Sequence, residues 1–158
     1  MSHRLVNTLR TTPKKPYLHS PVDDLESFYY TAQWATAFND GTSGGRYNGT
    51  TIQDFRDMIA GGEREQATNL VVTSLQPLTA EEEYGPFFAR SLYLLVPWKD
   101  KLTAINRDWI NVLHKANLCD AKDREEYLDL NFLIYGYRGV VEYLELVHEH
   151  RESLQETA

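Results

Sequence analysis

The stretch from His19 to Phe38, HSPVDDLESFYYTAQWATAF, sets the tightest constraint on this chain. It opens with a helix start signal. Ser20 is an N-cap residue, Pro21 suits the first helical position, and Asp23 follows three residues after the cap. Asp23, Asp24 and Glu26 load negative charge into the first turn, where the helix dipole favours it. Asn39-Asp40-Gly41 supplies the stop. In between, Leu25, Phe28, Tyr29, Ala32, Trp34, Ala35 and Phe38 leave little of the circumference polar. A surface helix buries one apolar stripe, whereas a helix apolar on nearly every side belongs in the middle of a bundle. Whatever this chain folds into must therefore surround residues 21–38.

The rest of the chain offers mainly helices to do so. Residues 2–10 form a short helix candidate with Leu5, Val6 and Leu9 on one side, followed by a loop holding Pro13, Pro16 and Pro21. After a Gly-rich loop to Thr51, that threonine caps a helix whose Ile52, Phe55, Met58 and Ile59 share a face; Gly61-Gly62 breaks it. Glu63 to about Ser74 is a further candidate, and Pro77–Glu83 reads as a connector in which Thr79 caps a helical turn. Phe87–Val96 is strongly apolar. Beyond Pro97, Trp98–Ala116 is amphipathic, with Leu102, Ile105, Trp109, Val112 and Leu113 at three- and four-residue steps. Asp123–Asn131 and Gly139 to about Ser153 read as two last helices, the latter with Val140, Tyr143, Leu144 and Val147 inward. No strand pair and no internal repeat stand out, so the expected fold is all-α.

Composition narrows the function classes. A length of 158 residues fits one domain or part of a larger one. Sixteen basic against 23 acidic residues, a formal charge of −7, weighs against nucleic acid as a partner and leaves a small basic substrate or partner open. The single Cys119 rules out an intrachain disulfide, makes a zinc site a poor fit and points to a reducing compartment. No apolar run reaches the roughly 20 residues of a membrane span, and MSHRLVNTLRTTPKK lacks the apolar core of a signal peptide. The sequon Asn48-Gly49-Thr50 accordingly reads as a turn. These features imply an intracellular protein, cytoplasmic or nuclear, with no membrane partner.

Particular residues say more than the pattern. Asp23-Asp24-Leu25-Glu26-Ser27 with aromatic residues behind it resembles the central F helix of the protein-kinase C-terminal lobe. That helix commonly opens Asp-x-Trp-Ser-x-Gly, and the casein kinase one-like branch and the fungal-type protein kinases write it Asp-Asp-Leu-Glu-Ser. The wider run His19–Tyr30 followed by Trp34 is similar to the fungal-type kinases in particular. Met1-Ser2 stands where their Phe-Met-Ser segment ends. Trp98, Trp109, Gly136-Tyr137-Arg138-Gly139 and Val141-Glu142-Tyr143-Leu144 fit that group's C-terminal helices. The resemblance runs along essentially the whole of residues 1–158, specific over residues 19–34 and loose after about residue 45. It implies a partial kinase-like C-terminal lobe built around a central apolar helix, in which Asp24, Glu26 and Ser27 carry the motif. Asp24 takes the place of the aspartate whose carboxylate holds the catalytic-loop backbone. Without the resemblance, Asp24 is equally well read as a first-turn carboxylate serving the dipole.

In that family the Gly-rich loop, the strand lysine, the His-Arg-Asp loop and the Asp-Phe-Gly magnesium site all precede the F helix, and only about 22 residues do so here. The expectation is a chain that is not catalytic by itself and has no cofactor of its own, although a complete relative would use ATP and magnesium to phosphorylate Ser or Thr. It would be a truncated product or incomplete gene model, or a degenerate pseudoenzyme remnant kept for binding. Short imitations of the missing parts fail inspection. Gly44–Thr51 has phosphate-loop spacing but places Thr50 where lysine is required. Asn106-Arg107-Asp108 is followed five residues on by Leu113 rather than Asn, and Asp54-Phe55-Arg56 lacks the glycine. His148 and His150 are two apart on a helix and cannot chelate together, and the other histidines have no ligand-spaced partner. No catalytic, cofactor-binding or metal residue emerges. The expected partner is a second copy or another protein, through apolar surface of the lobe. The alternative is a stand-alone helical interaction domain, self-contained and polar outside.

Overall fold

The computed structural model describes residues 20–39, 42, 46–47, 50–71 and 77–152. The helix candidate over residues 2–10 and the end of the chain past Glu152 lie outside them. Among the described residues the protein is almost entirely helical: α1 (Pro21–Ala37), α2 (Ile52–Gly61), α3 (Arg64–Asn69), α4 (Pro77–Tyr84), α5 (Pro86–Ala116) and α6 (Ala121–Glu149). A two-stranded antiparallel ladder, β1 (Arg46–Tyr47) with β2 (Thr50–Thr51), precedes α2, with Arg46 opposite Thr51 and Tyr47 opposite Thr50. No helix among the described residues is long and apolar enough to cross a membrane.

The helix ends follow local chemistry. At the start of α1, the Asp23 carboxylate accepts from the Ser20 backbone N–H at 2.7 Å and from its hydroxyl at 3.0 Å, while the Asp23 N–H donates to the Ser20 carbonyl. This is the returning half of a capping box, and it satisfies the cap's own donors. At the other end of α1, Arg56 Nε donates to the Ala37 carbonyl at 2.8 Å and the Thr42 hydroxyl donates to that of Thr36 at 2.7 Å. A cation on the last carbonyls complements the negative end of the dipole. Thr51 and Asp54 form a full capping box on α2. Gly62, at φ +85°, closes that helix in the left-handed conformation glycine adopts without penalty.

Besides the β1–β2 ladder, where no strand pair was expected, three elements differ from the sequence reading. Pro77–Glu83 is helix, not connector: Pro77 takes the first helical position, where its missing N–H costs nothing. Phe87–Val96 and Trp98–Ala116 are one 31-residue helix, with Pro97 inside it. An internal proline removes one backbone bond and costs about 3 kcal/mol. Burial of Leu92, Leu95, Trp98 and Leu102 to either side outweighs that. The two last helices are likewise one, 29 residues long, running through Gly136 and Gly139.

The chain divides into two units. In the one made of residues up to Ser27 with Asp100–Glu145, Val22 and Leu25 of α1 are buried with Leu102, Ile105, Trp109 and Val112 of α5. Trp109 meets Phe132 and Tyr135 of α6 edge-on, at ring-centroid distances of 6.4 and 6.0 Å. Gly139 explains itself here: a Cβ at that position would lie 2.1 Å from Leu25 Cδ1. The glycine permits close helix approach rather than ending a helix. In the other unit, Phe28–Lys99 with the residues from Leu146, Phe88 packs against Phe55 and Tyr84 at 5.5 and 5.0 Å, and Tyr29 meets Trp98 at 5.5 Å. Ile52, Ile59, Ala67, Val71, Leu92 and Leu95 complete that interior.

Candidate functional site

The motif residues of the opening helix separate by environment. One residue is a turn of about 100° on a helix, so Asp23 faces inward, at 3 % exposure, while Asp24 is exposed. Among residues 20–27 the Asp23 carboxylate holds backbone, accepting from the Ser20 N–H. Glu26 is buried, and the half-buried Ser27 returns its hydroxyl to the Asp23 carbonyl at 2.8 Å. Asp24, Glu26 and Ser27 thus share one turn without converging on a common point. Further along α1, Tyr29, Tyr30, Gln33 and Ala37 are buried, whereas Phe28, Trp34 and Phe38 stand out in solvent. Trp34 and Phe38 stack at 4.9 Å, with the Arg56 guanidinium 5.4 Å from the Phe38 ring centre. The helix is apolar all round, as read, but it is covered on one side only.

Among the described residues, a cluster of charge joins α5 to α6. Arg138 donates from one terminal nitrogen to Asp108 Oδ2 at 2.7 Å and from Nε to Glu142 Oε1 at 2.5 Å. Lys101 Nζ stands 4.0 Å from Glu142 Oε2. The planar guanidinium fork holds two acceptors in a fixed geometry, where an ammonium group is a compact point charge with freely rotating donors. Hydrogen bonds to Glu142 and then Asp108 raise the Arg138 guanidinium above its ordinary value, against a smaller opposing effect of burial. The stability so gained is complete below the unfolded-state value and is lost only as pH rises through the folded one. Both lie at the far alkaline end, so this guanidinium stays charged throughout the neutral range. Beside this cluster, Trp109 Nε1–H and Asn106 Oδ1 are buried without hydrogen-bond partners among the described residues.

The members of that cluster hold α5 to α6. Asp108, the last residue of the Asn106-Arg107-Asp108 imitation, is spent on Arg138 within a continuous helix. Asp54-Phe55-Arg56 is equally occupied: Asp54 in the α2 cap, Phe55 in the interior, Arg56 on the end of α1. Of the Gly44–Thr51 stretch, Thr51 caps α2, and the remainder is outside the described residues or paired in the ladder. His150 stacks on Tyr93 at 6.4 Å while His148 is exposed. Cys119 Sγ lies 3.5 Å from the Lys115 carbonyl. Among the described residues no three His, Cys, Asp or Glu side chains gather as a metal site would require. Sequence reading missed the Arg138 clamp because its members are 30 residues apart; only the i,i+4 pair Arg138–Glu142 is visible locally. The chain matches no protein-family model, no curated protein and no solved structure.

Proposed function

We propose that this chain is the later part of a protein-kinase-like C-terminal lobe of the fungal type, binding rather than catalysing when taken alone. The reading rests on the resemblance over residues 19–34. One observation carries it further: α1 keeps Phe28 and Trp34 exposed on the side away from its buried face, and Phe38, just past its end, is exposed as well. Burying such side chains is worth about 1.5–3 kcal/mol each, and three on one helix and its end are what a central helix leaves bare where its remaining neighbours are not in place. Asp24, exposed in the first turn, would meet the backbone donors that a carboxylate in that position holds in a kinase.

Two measurements test this reading. The intact mass of the protein in its native cells, found with an antibody to α6, is expected far above 18.3 kDa, with ATP-dependent phosphotransfer in the full species. A native species of 18.3 kDa that binds no apolar dye through α1 favours the alternative, a stand-alone helical interaction domain. The chain by itself is expected to show no ATP–magnesium-dependent rise in melting temperature; a clear rise contradicts both readings. The alternative expects a polar exterior, and the exposed apolar face of α6 counts against it.

A further inference from the structure

Helix α6 buries one side and leaves a second apolar stripe in solvent. Leu130, Leu133, Ile134, Tyr137, Val140 and Leu144 recur at three- and four-residue steps and are between 49 % and 76 % exposed. They lie opposite Phe132, Tyr135, Gly139 and Glu142, which face the interior of their unit. The stripe's spacing is that of a helix–helix seam, three and four residues in alternation. It is also symmetric about its midpoint. Seven residues on either side of Tyr137 stand Leu130 and Leu144; three and four residues away stand Leu133 and Ile134 on one side, Val140 and Val141 on the other.

We infer that this stripe is the interface of a homodimer, in which α6 of two copies pair antiparallel about a two-fold axis at Tyr137. Such an axis needs a surface complementary to itself. Reversing the stripe lays Leu130 on the partner's Leu144, the Leu133–Ile134 layer on Val140–Val141, and Tyr137 on its own copy. Size supports the assignment. From their fractional exposures, the six side chains offer on the order of 700 Å² per chain, close to the roughly 800 Å² per partner of a stable interface. The chain's own N-terminal segment fits less well. As a helix, residues 2–10 would be about 14 Å long with three apolar side chains, against a stripe about 21 Å long. The inference does not depend on the kinase reading, which concerns α1. Because each copy carries a charge of −7, added salt should screen repulsion and strengthen the pairing.

Sedimentation of the full chain over a concentration series tests this, with four variants. The expected result is a species of twice 18.3 kDa. Tyr137→Glu, which sets two carboxylates against each other on the axis, should weaken dimerisation about 30-fold or more while leaving the helical circular dichroism intact. Trp34→Glu, on α1, should leave the dimer unchanged. In a Cys119→Ser background, Leu130→Cys should form a disulfide with Leu144→Cys when the two variants are mixed, and neither should cross-link to itself. A monomer at all concentrations overturns the inference, as does a dimer indifferent to Tyr137→Glu. So does a monomer that pairs only once residues 1–19 are removed, which would make that segment the occupant. Self-cross-linking of Leu130→Cys alone overturns the antiparallel arrangement.

Discussion

Asp23 and Asp24 are chemically identical neighbours with opposite duties. Asp23 is buried and receives two donors from Ser20, at 2.7 and 3.0 Å, whereas Asp24 is exposed. Both donors reach one oxygen, Asp23 Oδ2, which an Asn carbonyl can replace, but Asp23→Asn loses the charge assistance of the two bonds and removes negative charge from the positive end of the helix. Asp23→Asn should therefore cost about 1–2 kcal/mol, in the range of a lost cap. Asp24→Asn removes the same first-turn charge from an exposed position and should cost less, about 0.3–1 kcal/mol. Urea unfolding of the two variants measures the difference; equal costs, or a larger one at Asp24, would mean that the cap is not what anchors the start of α1.

At the scale of elements, Gly136 and Gly139 make a paired test on one helix. Both interrupt α6 as a sequence, and replacing an interior helical glycine by alanine ordinarily gains about 1 kcal/mol. At Gly136 the new methyl would sit 3.5 Å from Pro21 Cβ, an ordinary contact. At Gly139 it would sit 2.1 Å from Leu25 Cδ1 and 3.0 Å from Cγ. Because the clash reaches Cγ and Leu25 is buried, turning the side chain does not relieve it. Gly136→Ala should raise the melting temperature, and Gly139→Ala should lower it, at a net cost of about 1–2 kcal/mol once overpacking outweighs propensity. Leu25→Ala combined with Gly139→Ala should cost less than the two single changes added together. The same residues show what was legible in sequence. Periodicity and caps placed α1, α2 and the course of α5 because those signals are local. The continuity of α5 through Pro97 and of α6 through its glycines was not legible: it depends on what packs against each position, and for Gly139 that is a leucine near the other end of the chain. The β1–β2 ladder was missed for a related reason, since strands of two residues are too short to alternate visibly. Of the site, the motif turn could be read, but which aspartate faced inward, and the pairing of Arg138 with Asp108, required the fold.

For the whole molecule, the division into units matters more than the number of helices. Neither unit is a continuous piece of chain, and α1, α5 and α6 each contribute residues to both. Within the unit containing Trp109, α6 supplies Phe132 and Tyr135 to its ring, Arg138 to Asp108, and Gly139 to Leu25. Within the unit containing Tyr93, the same end of the chain supplies the buried Leu146 and the His150 ring stacked on Tyr93. A chain ending at Ala116 therefore loses packing partners from both interiors at once. In the first unit the loss strands Trp109 and Asp108 beside a surface meant to be covered. An uncovered tryptophan is worth about 3–5 kcal/mol when its packing is lost, a large share of the 5–15 kcal/mol that holds a domain together. The expected outcome is that this truncated chain loses helical circular dichroism well beyond the 29 residues of α6 and melts without a cooperative transition. Retention of full helicity per remaining residue, with a sharp melt, would mean that residues up to Ala116 hold a self-sufficient interior and that α6 is an appendage. It would also supply the self-contained interior that the stand-alone reading requires, with the α6 stripe as an addition that reading did not expect.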